Sequence, residues 1–140
     1  MSRFAKWFFA GPQSPPTAWR VVLWWEVRRI PFNLIIGTYG LACLLVFFWA
    51  IGTSGHLQAG EDAVEPLALL AAPLAINALY TLGWLVEALA RLAKPALSLR
   101  FGAMLLKLGL GLGLSLITLP AAFWVGWRIL QGVGLVDRAS

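Results

Sequence analysis

Apolar positions gather into three long stretches, Ile30–Gly52, Leu67–Ala90 and Leu108–Trp127, with polar residues confined largely to the segments between them. A helix needs roughly 20 apolar residues to cross the hydrocarbon core of a bilayer. Each stretch meets that length, so the pattern predicts an all-α membrane protein. Its three transmembrane helices are residues 30–52, 67–90 and 108–127. They are joined by a short outer loop, 53–66, and a basic inner loop, 91–107, and followed by a tail, 128–140. The Gly-Leu alternation in LGLGLGLSL has the period of a strand, but a lone strand cannot span a membrane without many partners, and the length of the run favours a helix.

The N-terminal segment, 1–29, reads differently. Gly11, Pro12, Pro15 and Pro16 interrupt it. Phe4, Trp7, Phe8 and Phe9 beside Arg3 and Lys6 suit a short interfacial anchor. Thr17 is placed to cap a short interfacial helix over Ala18–Arg29, and Pro31 is expected to mark a change of direction into the first span. Pro73 and Pro120 are expected to bend the second and third spans. The first stretch is too long, and too far along the chain, for a cleaved signal peptide, despite the small pair Ala50 and Gly52.

Composition agrees with a membrane setting. Hydrophobic residues make up 60 % of the 140-residue chain and charged residues 12 %, against about 45–50 % and about 25 % in soluble domains. The net charge of +5 is distributed around spans and not over a soluble basic face, which argues against nucleic acid. Arg3, Lys6, Arg20, Arg28 and Arg29 precede the first span, and Arg91, Lys94, Arg100 and Lys107 follow the second. Only Arg128 and Arg138 fall on the other side, and the outer loop carries Glu61, Asp62 and Glu65 without a single Lys or Arg. By the positive-inside rule the N-terminus is cytoplasmic and the C-terminus periplasmic or extracellular. Trp24, Trp25, Trp49, Trp124 and Trp127 stand at depths where an indole straddles the interface.

Chemistry-bearing residues are few. Asn77, Tyr80, Trp84 and Glu87 follow one another at steps of three and four, so they form one stripe of the second span, flanked by Thr81. A polar stripe is costly against lipid and should face another helix or a hydrated gap. Arg91, four residues beyond Glu87, suits an ion pair with it. Asn33 and Arg29 are expected to join them in a cluster at the inner side. Arg28, Arg29, Arg100 and Lys107 are candidates for contact with anionic lipid head groups. Gly109 and Gly113 form a GxxxG pair, with Gly102 and Gly111 adding small surface, which suits close helix packing. Cys43 has no partner for an intrachain disulfide. His56 with three acidic neighbours is too sparse a set for a metal site, and no cofactor motif is present.

The segments WWEVRRIPFN, GEDAVEP and NALYTLGW, between Trp24 and Glu87, resemble those of small uncharacterised bacterial multi-pass membrane proteins. That resemblance implies a bacterial inner-membrane protein and brings no substrate or cofactor with it. The functional expectation is a non-enzymatic interaction or accessory subunit, as a homo-oligomer or within a larger complex in the lipid bilayer. The alternatives are an oligomeric transporter or channel subunit lined by the Asn77–Glu87 stripe, and a lipid-directed enzyme with Glu87 as its acid or base.

Overall fold

The computed structural model describes residues 2–12, 17–55, 64, 66–94 and 96–136. It contains four helices: α1 (Arg3–Phe8), α2 (Ala18–Gly52), α3 (Pro66–Ala93) and α4 (Phe101–Gly132). Three are long and apolar enough to cross a membrane. Their outward faces carry exposed leucines from end to end, among them Leu34, Leu45, Leu70, Leu74, Leu108 and Leu119. So continuous an apolar surface is incompatible with water and suited to acyl chains. The chain is a multi-pass membrane protein.

The helices extend beyond the expected spans, most of all at the starts of α2 and α4. The short N-terminal helix is present as α1, but Ala18–Arg29 is not a helix separate from the first span: α2 runs unbroken for 35 residues through Pro31. Proline deletes one backbone hydrogen bond, but the flanking residues Arg28 and Phe32 are both buried against the rest of the bundle. Packing on either side holds the helical course, as membrane helices generally tolerate proline when neighbours compensate. Thr17 has the extended backbone of a capping residue, yet its side chain makes no capping bond. The third span also starts earlier than Leu108. Helix α4 begins at Phe101, because Ala103, Leu106 and Leu110 recur at helical spacing and are all buried. Lys107 stands at the edge of that face with its side chain exposed, and does not interrupt it.

Two helix ends are closed by specific bonds. Ser2 Oγ accepts from Ala5 N at 3.2 Å and caps α1. At the end of α4, Gly134 adopts a left-handed φ of 73°. Gly134 N donates to the Gln131 carbonyl at 3.3 Å and Leu135 N to that of Leu130 at 3.0 Å, a Schellman turn that needs this glycine.

Two apolar clusters form the interior. The larger joins Phe8, Val21, Trp25, Phe32, Ile36, Tyr80, Leu106 and Leu110 at the end of the bundle that holds α1. The smaller joins Phe47, Ile51 and Ala121 at the far end. Helix α2 packs on α4 along most of its length and on α3 chiefly near the α1 end.

Arg28 fastens α1 to this frame. It is 6 % exposed. Its Nε donates to the Phe8 carbonyl at 2.9 Å, and its Nη2 to those of Trp7 at 2.9 Å and Ala10 at 3.4 Å. The guanidinium thus satisfies the carbonyls that a helix C-terminus leaves open, while stacking over Trp24 at 4.1 Å and Trp7 at 4.9 Å. Arg28→Ala is expected to release α1, weakening its docking by about 2–3 kcal/mol. Hydrogen exchange at residues 3–10 should rise sharply while α2–α4 keep their protection. Arg28→Lys should rescue little, since an ammonium cannot reproduce the fork.

Candidate functional site

Asn77, Tyr80, Thr81, Glu87 and Arg91 of α3 all bond to partners within the chain. Glu87 is 2 % exposed. Trp25 Nε1, from α2, donates to its Oε2 at 2.7 Å. Arg91 donates to Oε1 through Nε at 2.9 Å and Nη2 at 2.7 Å. Arg91 also lies 3.5 Å and 3.4 Å from the carbonyls of Leu97 and Ser98, in the connection to α4. A carboxylate removed from water is costly unless both charge and hydrogen bonds are met, and here three donors meet it.

Glycine makes the site geometrically feasible. A Cβ at Gly102, in the first turn of α4, would overlap the Glu87 carboxylate, and one at Gly83 would fall 2.9 Å from the Trp25 indole. The Trp25 ring stands edge-on to Tyr80 at 5.2 Å, and Phe32 packs on Tyr80 at 4.7 Å. The Tyr80 hydroxyl donates to the Trp25 carbonyl. Trp25 is therefore the hub, bonded to two residues of the α3 stripe. From sequence it reads only as an interfacial tryptophan. Nothing in its local pattern shows that its N–H is aimed at Glu87, 62 positions away.

Asn33 does not join Glu87. Its Nδ2 donates to Asn77 Oδ1 at 3.1 Å, and Asn77 Nδ2 donates to the Pro73 carbonyl at 3.1 Å. Asn77 stands ten residues from Glu87, about 15 Å along the helix. The expected single cluster is thus two sites at different depths. The continuous α2 explains the difference: Trp25, not Asn33, reaches the level of Glu87. Between the two sites, Arg29 Nη2 donates to Glu26 at 2.7 Å and to Thr81 Oγ1 at 3.1 Å, with its guanidinium 5.2 Å from the Tyr80 ring. Trp84 is half-buried against the larger cluster, and its indole N–H has no hydrogen-bond partner among the described residues.

Of the four residues expected at lipid head groups, Arg28 and Arg29 turn inward as described, because carbonyls and side chains of the bundle offer them closer partners than lipid would. Arg100 and Lys107 remain exposed, with Lys107 Nζ 5.4 Å from the Phe9 ring. The glycine pair also divides. A Cβ at Gly113 would meet Ile36 Cδ1 at 3.1 Å, within the bundle, whereas Gly109 faces open space. Glycines four apart share a helix face only approximately, and the edge of the α2 contact falls between these two. His56, Glu61, Asp62 and Glu65 lie outside the described residues. Among those described, no group of three His, Cys, Asp or Glu side chains is arranged to hold a metal.

Beyond the Asn33–Asn77 pair, α3 parts from α2 and leaves a cleft of about 630 Å3. Its walls are Gly37, Gly40 and Cys43 on α2, Ala72 and Ile76 on α3, and Ile117 on α4.

Glu87→Gln is expected to cost about 3–5 kcal/mol of stability, because Arg91 is left as a buried charge without its counterion. Replacing Glu87 and Arg91 together by Met should recover most of that loss. Thermal unfolding of the two variants in detergent or bicelles tests the pair. Comparison of the chain with protein-family models, curated proteins and solved structures finds no match, so its role has to be read from these residues themselves.

Proposed function

We propose that the protein is a non-enzymatic accessory subunit of a bacterial inner-membrane assembly, with its N-terminus in the cytoplasm and its C-terminus outside. The observation that carries this reading is the commitment of Glu87. Its carboxylate is held by Trp25 and Arg91 and covered by the first turn of α4, so it acts as a structural fastening and not as a free acid or base. The same commitment weakens the transport reading, in which Asn77, Tyr80, Trp84 and Glu87 line one path: Tyr80 and Asn77 are likewise engaged across the α2–α3 contact. What the bundle presents outward is apolar helix surface, including the open face of Gly109 flanked by Leu108, Leu112 and Leu116. Small residues on such a face allow close approach of another helix.

The orientation rests on the exposed cations at the α1 end, Arg3, Lys6, Arg20, Lys94, Arg100 and Lys107, which suit an anionic cytoplasmic leaflet. A C-terminal alkaline phosphatase fusion should be active and a C-terminal green fluorescent protein fusion dark. The reverse result would invert the topology.

Native mass spectrometry of the gently solubilised protein should show a defined homo- or hetero-complex. Gly109→Ile, which meets no atom of its own chain, should cut that association roughly ten-fold or more without altering the fold. Gly113→Ile serves as the contrast, since it collides with Ile36 and should destabilise the monomer itself. Association unchanged by Gly109→Ile would remove this face from the assembly.

A further inference from the structure

One side of α4 carries cations that the bundle does not use. Arg100, Met104 and Lys107 follow one another at steps of four and three, so they share a side of the helix, and all three are exposed. Among the described residues, neither the Arg100 guanidinium nor the Lys107 ammonium meets a carboxylate or a hydrogen-bond acceptor. Lys107 Nζ has only the Phe9 ring, 5.4 Å away. Glu26 and Glu87 are each paired with an arginine. The other acids, Glu61, Asp62, Glu65 and Asp137, belong to the segments before α3 and after α4.

The end of α1 borders the same face. Phe9 lies against Lys107, and a Cβ at Gly11 would fall 2.6 Å from the Leu99 carbonyl oxygen and 3.6 Å from Arg100 Cα. Free carbonyls at a helix C-terminus repel an anion. Here Arg28 and the Trp24 indole already bond to those of Trp7, Phe8 and Ala10, so the border of the face is not negative.

Depth selects the occupant. Gly102 is level with Glu87, and Lys107 stands five residues farther along α4, about 7.5 Å deeper into the membrane. Met104 and Leu108, exposed beside it, suit acyl chains. A soluble acidic protein cannot reach an ammonium placed among lipid tails. A helical side chain leans toward the N-terminus of its helix, which carries the Lys107 ammonium back toward Arg100 and the layer of lipid phosphates. Two cations without a carboxylate favour a head group of net negative charge over one that adds a cation of its own. We propose that Arg100 and Lys107 hold the phosphate of one anionic phospholipid beside the end of α1, with Met104 and Leu108 along its acyl chains. The proposal rests on the cytoplasmic reading of this end only for which leaflet supplies the lipid, so the fusion assay and the lipid assay fail independently.

The experiment is native mass spectrometry of the full chain in mild detergent, titrated with phosphatidylglycerol or with phosphatidylcholine of identical acyl chains. The first phosphatidylglycerol should bind roughly ten-fold more tightly than the first phosphatidylcholine. Arg100→Gln combined with Lys107→Gln should remove that preference with circular dichroism and Tm unchanged. Lys107→Gln alone should lower it roughly five-fold and carries the test should the double variant fail to fold. Arg20→Gln removes one charge from α2 and should leave the preference intact. Equal binding of the two lipids would overturn the site. Equal losses from Arg20→Gln and Lys107→Gln would overturn it too, by reducing the preference to the general charge of this end. Displacement of phosphatidylglycerol by inorganic phosphate at matched concentration would overturn the lipid as occupant and leave a soluble anion.

Discussion

One buried carboxylate organises the packed end of this protein. The Glu87 carboxylate, 2 % exposed, needs donors on several sides, and no single helix supplies them all. Arg91 comes from one turn further along α3, Trp25 from α2, and the space itself from Gly102 at the start of α4. Satisfying one charge thereby fixes where three helices meet. The Arg91 guanidinium extends the arrangement to the carbonyls of Leu97 and Ser98, so the turn into α4 is held by the same pair.

From that point polar links climb between α2 and α3. The Tyr80 hydroxyl reaches the Trp25 carbonyl, Arg29 reaches Thr81, and Asn33 reaches Asn77. The ladder then stops. Farther along, α2 turns its contacts to α4: Tyr39 Oη and Thr118 Oγ1 are 2.7 Å apart, and Phe47 and Ile51 pack with Ala121. In lipid, apolar side chains gain little by leaving acyl chains for one another, so helices stay together where hydrogen bonds or close packing hold them. Among the described residues neither is found between α2 and the first turns of α3, and there the two diverge and leave the cleft. The cleft is thus a consequence of where the polar residues end.

The fold was largely legible before the structure, and the reason is physical. Three apolar runs of bilayer length leave no choice but helices, since backbone groups in hydrocarbon must bond within their own segment. The i, i+4 spacing of Glu87 and Arg91 also announced their pairing. The boundaries were less legible. Arg28 and Arg29 resemble the head-group contacts that end a span, yet α2 continues through them because their guanidinium groups are met by carbonyls of Trp7 and Phe8 and by Thr81. Lys107 resembles a loop residue, yet it lies within α4, exposed at the edge of the face that carries Ala103, Leu106 and Leu110.

Sequence by itself determined the number of membrane-crossing helices and the residues able to carry polar chemistry, because length, hydropathy and helical spacing are local properties. Tertiary structure alone decided which of those residues meet. Trp25 rather than Asn33 stands beside Glu87; Gly11, Gly83 and Gly102 rather than Gly109 are glycines that close packing requires; and the cleft opens between Gly37 and Ala72. Each of these depends on the relative depth and rotation of helices distant in the chain. No local pattern encodes that alignment; it is set by the few hydrogen bonds that a charge buried among helices cannot do without.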